Sequence, residues 1–123
     1  KMRCICLTAM EIAKTAVKAL DGKKALNVKM LEITDLTILA DYFVIATGTS
    51  NTHVKALADE VEFQLKEAGA DQGHMEGYHS NNWILMDYHS VIIHVFQEKT
   101  REFYDLERLW RDAKEVDISD LID

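Results

Sequence analysis

Residues 83–110 read WILMDYHSVIIHVFQEKTREFYDLERLW, and this stretch decides the fold. Trp83-Ile84-Leu85-Met86 is a short apolar run that stops at Asp87-Tyr88-His89-Ser90, and Val91 to Phe96 is a second one rich in β-branched types. Runs of that length, bounded by turn residues, are buried strands, and so short a connection makes them a hairpin. From Thr100 the apolar period lengthens, so that Phe103, Leu106, Trp110 and Ala113 share one face of a predicted helix. Asp105 with Arg108 and Glu107 with Arg111 pair along its exposed side. Trp110, on the apolar stripe, is a core residue. Trp83 stands at the mouth of the hairpin beside polar Ser80, Asn81 and Asn82, the place for a contact residue.

Working outward, Thr8-Ala9-Met10-Glu11 is a capping box that opens a helix with Ile12, Ala16, Ala19 and Leu20 on one side. Asp21-Gly22 ends it, with Gly22 expected to take the left-handed cap. Ala25 to Ile33 alternates apolar and polar residues and predicts a strand with one face partly wet. Tyr42 to Thr47 predicts a buried strand. Gly48-Thr49-Ser50 then turns the chain, and Thr49 or Ser50 caps a second helix that buries Val54, Leu57, Ala58, Val61 and Leu65 and closes at Gly69. A short edge strand is expected around His74 to Glu76. Helix, two strands, helix, then strands and helix make a single α/β domain on a mixed β-sheet flanked by helices, too irregular for a doubly wound parallel fold. The tail from Glu115 onward alternates acidic and apolar residues and either docks as a short segment or stays mobile.

A chain of 123 residues is one domain, and 48% apolar residues make it globular. It has no apolar run near the roughly 18 residues that a membrane span needs, and its N-terminus lacks the pattern of a secretory signal. Cys4 and Cys6 make neither a zinc site nor a disulfide framework and fit a reducing compartment, so the expected location is cytoplasmic. A net charge of −7 repels phosphate backbones and favours a basic partner, which argues against direct, sequence-specific nucleic-acid binding.

Three constellations invite chemistry. Gly48-Thr49-Ser50 precedes a helix N-terminus, where a phosphate can bind. A nucleotidyl-transferring enzyme, however, needs a pair of metal-holding carboxylates on a nearby strand, and Asp87 is followed by Tyr88 and His89 instead. The turn therefore reads as a helix cap, with a nucleotide-binding or nucleotidyltransferase-like enzyme at Gly48–Ser50 as the rival. Ser50 and His53 suggest a nucleophile and base, but no third residue orients His53. Five histidines include no pair with a thiol or carboxylate at a zinc spacing, so no metal and no cofactor is expected. His94, alternating with Ile92 and Phe96, is expected as a core or half-buried histidine bonded to backbone. Trp83 reads from the residues alone either as a core tryptophan at a strand start or as an exposed interface anchor.

Several collinear pieces decide between these: DYFVIATGTS from Asp41, HVKALADEV from His53, Glu76-Gly77, WILMDY from Trp83, VIIHVF from Val91 and REFYDLERLW from Arg101. Together, in this order and spacing, they resemble the ribosomal silencing factor family, also called Iojap-like, over residues 8–113, with 1–7 as an N-terminal extension and 114–123 as an acidic C-terminal tail. The resemblance implies a nucleotidyltransferase-like fold without catalytic carboxylates. It implies a non-enzymatic translation repressor that binds the large ribosomal subunit through ribosomal protein uL14 and sterically blocks association with the small subunit. It also implies partner contacts by Trp83, and with it Asp87, Tyr88 and Glu76. The expected state is a monomer or weak homodimer. The family commonly has Gly then Asp after the Asp-Tyr of the hairpin. Here His89-Ser90 stands instead, and histidine tolerates a positive φ less well than glycine.

Overall fold

The computed structural model describes residues 8–33, 40–70, 73–77, 82–104, 111 and 113–122, with only the backbone of 102–104. Its first helix, α1 (Ala9–Gly22), starts where the capping box predicts: Thr8 Oγ1 accepts from the Glu11 amide at 3.1 Å, and Glu11 Oε1 accepts from the Thr8 amide at 2.8 Å. Both bonds satisfy amides that the first turn leaves without helical partners. The helix buries Ile12, Ala13, Ala16, Val17, Ala19 and Leu20.

Its end departs from expectation. Gly22 stays helical, and the left-handed residue is Lys24, at φ 64°. The Ala25 amide reaches Leu20 O at 3.0 Å and the Lys24 amide reaches Asp21 O at 2.9 Å. That is the Schellman pattern, with the cap position occupied by a lysine two residues beyond the glycine.

Strand β1 (Leu26–Glu32) follows, with a bulge between Leu26 and Lys29 at which Asn27 takes φ 49°. Arg101, buried among these segments, donates through Nη1 to Asn27 O and to Thr47 Oγ1, each at 2.7 Å, and so ties the bulge to the end of the next strand. Strand β2 (Tyr42–Gly48) leads through Ser50, which caps the helix, into α2 (Asn51–Glu67). Val54, Leu57, Ala58, Val61 and Leu65 have no exposed surface, and full burial of each valine or leucine is worth about 1.5–3 kcal/mol. Here the expected glycine does cap: Gly69 takes φ 96°, and Ala70 N donates to Leu65 O at 2.9 Å.

The remaining elements among the described residues are β3 (His74–Glu76), β4 (Trp83–Asp87), β5 (Val91–Gln97), α3 (Glu98–Tyr104) and β6 (Lys114–Glu115). The sheet order is β3-β4-β5-β2-β1-β6. Among the described residues, only the central β2–β5 pair is parallel; the other neighbours are antiparallel. The α/β class, the mixed sheet and the hairpin are therefore as the sequence reads. The segment after residue 113 packs onto the fold: β6 pairs with Leu31 and Glu32, and Ile118 joins the core. The expected core position of Trp110 and the pairs of Asp105 and Glu107 lie outside the described residues.

Period-two alternation splits the core between the two faces of the sheet. On one face α1 and α2 cover Met30, Val44, Ala46, Ile84, Met86, Val91, Ile93 and Val95. On the other lies a smaller cluster of Leu31, Ile33, Ala40, Phe43, Ile45 and Phe96, with Trp83, Ile92 and Ala113 against it. Among the described residues, no helix is long and apolar enough to cross a membrane.

Candidate functional site: an aromatic cluster on the sheet face away from α1 and α2

Strand parity places the sequence-predicted contact residues. Ile84 and Met86 of β4 point into the helix-side core, so Trp83, Leu85 and Asp87 lie on the opposite face. Cross-strand register sets Trp83 opposite Phe96, Leu85 opposite His94 and Asp87 opposite Ile92. On the outer side, Glu76 lies opposite Leu85 and His74 opposite Asp87. Paired residues share a face, so Trp83, Asp87 and Glu76 belong to one surface. His74 and Glu76 are exposed, with His74 Nε2 and Glu76 Oε2 3.4 Å apart.

Tyr88 does not join them. It has the parity of Ile84 and Met86, is 7% exposed and packs in the helix-side core. Burial, then the Glu62 carboxylate, pushes its phenol up to about 12. The Tyr88 ring thus lies on the opposite side of the sheet from Trp83, Asp87 and Glu76.

Trp83 is half-buried. Its ring stacks on Phe96 with centroids 5.0 Å apart and planes 28° apart, and it lies tilted over His94 at 5.9 Å. Its indole Nε1–H donates to His94 Nδ1 at 3.1 Å. His94 also stacks on Phe96 at 5.9 Å and makes a T-shaped contact with Phe43 at 4.9 Å. It is 4% exposed, and burial lowers its imidazole to about 4. The neutral ring that results must carry its proton on Nε2, because an indole only donates and Nδ1 is the acceptor. Among the described residues, Nε2 is buried without a hydrogen-bond partner. The expected backbone bond of His94 is thus replaced by a side-chain bond to Trp83, which no spacing in the sequence announces.

The turn next to this surface is held by Asp87, whose Oδ1 accepts from the His89 amide at 2.8 Å. His89 takes φ 68°, the left-handed conformation that glycine adopts more easily. Gly77 matters at the other end of β4. Its φ is +80°, and a Cβ there would come within 2.0 Å of Trp83 O. Only glycine lets the chain leave β3 so close to the Trp83 backbone.

The turn at Gly48–Ser50 is taken up by architecture. A Cβ on Gly48 would meet Val54 Cγ2 at 2.8 Å and Val54 N at 3.0 Å, so this glycine lets α2 approach the sheet. Ser50 Oγ accepts from the His53 amide at 3.1 Å, which is a helix cap. His53 Nδ1 accepts from the Thr49 amide at 2.9 Å, and Nε2 lies 2.8 Å from Lys23 O. With both ring nitrogens engaged, His53 joins the start of α2 to the end of α1. Among the described residues, no group of three or more His, Cys, Asp or Glu is placed to hold a metal ion. A cleft of about 230 Å³ between α1 and α2, reached by Lys18, Lys23, Glu60 and Gln64, lies on the helix side, away from Trp83.

The family model described as "Ribosomal silencing factor during starvation" matches residues 7–123. The ribosomal silencing factor RsfS of Halalkalibacterium halodurans is 36% identical over 116 residues, which cover 94% of this chain and 99% of that protein. A crystal structure of a protein from Chromobacterium violaceum superposes with a TM-score of 0.82 at 41% identity, covering 85% of this chain and 87% of that one. A more distant relative, the mouse "Mitochondrial assembly of ribosomal large subunit protein 1", is 31% identical over 97 residues, covering 76% of this chain and 42% of that protein. On these matches the chain belongs to the ribosomal silencing factor family.

Proposed function

We propose that this protein represses translation by docking on the large ribosomal subunit, through ribosomal protein uL14, and standing in the way of the small subunit, and that it does so in the cytoplasm without catalysis. The observation that carries the reading is Trp83, a half-buried tryptophan held on a rigid sheet face by Phe96 and His94 and flanked on that face by the carboxylates of Asp87 and Glu76. A fixed aromatic with acidic neighbours suits a basic ribosomal surface. The aromatic supplies contact energy, while the carboxylates and the net charge of −7 speed encounter. An interface of about 800 Å² per partner would be ordinary for such a complex. The name of the mouse relative ties that protein to the large ribosomal subunit, which supports the choice of subunit.

The test is co-sedimentation with isolated large subunits. Trp83→Ala should keep the fold and weaken binding by about thirtyfold, the effect of losing an interface residue worth about 2 kcal/mol. Equal sedimentation of Trp83→Ala and the parent would remove Trp83 from the interface. Small subunits joining large ones unhindered in the presence of the parent protein would end the repression reading altogether.

A further inference from the structure

We propose that His94 is a positioning residue for the partner contact, acting by accepting the indole N–H of Trp83 and thereby fixing the orientation in which that ring meets the ribosome. This rests on the docking reading above and goes beyond it, because it assigns the function of the surface to a side chain that the partner does not touch.

The argument starts from how poorly an imidazole suits this place. His94 sits between the rings of Phe43 and Phe96, with only 4% of its surface exposed. An all-carbon ring would stack on Phe96 and meet Phe43 edge to face equally well. It would also remove the buried Nε2–H, which has no partner among the described residues and so destabilises the fold. What a phenyl ring cannot do is receive the Trp83 Nε1–H at 3.1 Å.

Stacking on Phe96 sets the plane of the indole but not the direction in which its N–H points, because flat apolar contact has no direction. The hydrogen bond to Nδ1 does have direction. It selects which edge of the indole lies inward, over the imidazole, and so which edge faces out. His94 itself is anchored mid-strand in β5, opposite Leu85 and beside Ile45. The orientation is therefore set before any partner arrives, which lowers the ordering that association must impose.

Two variants separate this role from ordinary packing. His94→Phe keeps a ring and removes the acceptor. His94→Asn removes the ring and keeps an acceptor where Nδ1 stood. Three quantities are measured for each: the indole 1H–15N resonance of Trp83 (identified by its loss in Trp83→Phe), the thermal midpoint at neutral pH, and the affinity for isolated large subunits. The expected result for His94→Phe is an upfield move of the Trp83 indole proton, a midpoint at or above the parent's, and affinity weakened about threefold to tenfold, the range of one neutral hydrogen bond. His94→Asn should lower the midpoint yet keep the indole resonance and most of the affinity. A merely structural histidine would move stability and affinity together in both variants, and that pattern overturns the proposal. So does parent-like affinity in His94→Phe. If the enlarged ring of His94→Phe prevents folding, the Asn variant decides: affinity kept despite lowered stability supports the role, and affinity lost with stability overturns it. Failure of the parent protein itself to bind large subunits would instead sink the docking reading and this inference with it.

Discussion

Acidification should destabilise this domain through one identifiable side chain. In the folded state burial holds the His94 imidazole down to about 4, against 6.5 for the free side chain. Between those values the unfolded chain binds a proton at this position that the folded chain refuses. Unfolding therefore takes up a proton, and stability falls as pH drops from 6.5 toward 4. The difference in proton binding amounts to about 2 kcal/mol at pH 5 and about 3 kcal/mol at pH 4. Against the roughly 5–15 kcal/mol that stabilises a domain, this is a substantial fraction. The assay is urea unfolding at pH 7 and pH 5 for the parent and for His94→Phe. Both proteins share the effects of their carboxylates, including Glu11 and Asp117, whose pKa values are lowered by hydrogen bonds to Thr8 and Ser119. Those effects cancel in the comparison. The parent should lose about 2 kcal/mol more than the variant between the two pH values. Equal losses would refute the claim that His94 is neutral and desolvated, and with it the assignment of the proton to an unpartnered Nε2.

Four further substitutions test the frame around the site. His89→Gly and Lys24→Gly, at φ 68° and 64°, should each stabilise by about 0.5–1 kcal/mol, since the relief of left-handed strain exceeds the added freedom of the unfolded chain; lowered urea midpoints would contradict this. Gly77→Ala should cost at least about 2 kcal/mol, because it forces both a positive φ and a Cβ collision with Trp83 O, and it should weaken large-subunit binding as β4 shifts. Thr8→Ala should cost about 1 kcal/mol by removing the capping hydroxyl, with no change in affinity for the subunit.

Much of this architecture was legible because its signals are local. A threonine three residues before a glutamate places the start of α1, and a serine after a buried strand places the start of α2. Two β-branched runs around a polar tetrapeptide place the hairpin. The end of α1 was not legible in the same way. Gly22 was free to take the cap, yet the Schellman pair of bonds closes on Lys24, because that register lets Ala25 follow Leu20 into the core. Nor does an acidic tail announce that two of its residues will pair with β1, since a strand of that length is fixed by its neighbour rather than by its own pattern. Tyr88 is the opposite case. Simple alternation from Trp83 puts residue 88 on the far face, so its burial beside α2 could have been read from parity. The Trp83–His94 bond joins diagonal neighbours across the hairpin. Finding it requires the strand register, which depends on a turn whose His89-Ser90 departs from the family's usual pair.

The geometry also bears on how such a domain meets its partner. A sheet can recruit a partner by strand addition at an open edge or by contact across a face. Here the outer strands are poor templates: β3 has three residues, with exposed His74 and Glu76, and β6 has two, Lys114 and Glu115. Short, charged edges give few ladder bonds to a guest strand. The face away from α1 and α2 offers a tryptophan fixed by a stacked phenylalanine and a buried imidazole, backed by the central strands β5 and β2. Trp83 itself lies on β4, but the Phe96 and His94 that hold it belong to β5, a central strand paired on both sides. On the docking reading proposed above, a protein that acts by obstruction needs a geometry that holds its bulk in one place, and a ring oriented from inside the sheet meets that need better than a strand added at its margin. Substituting Lys114 and Glu115 with alanine should therefore leave large-subunit affinity unchanged while Trp83→Ala abolishes most of it; the reverse ranking would assign docking to the edge.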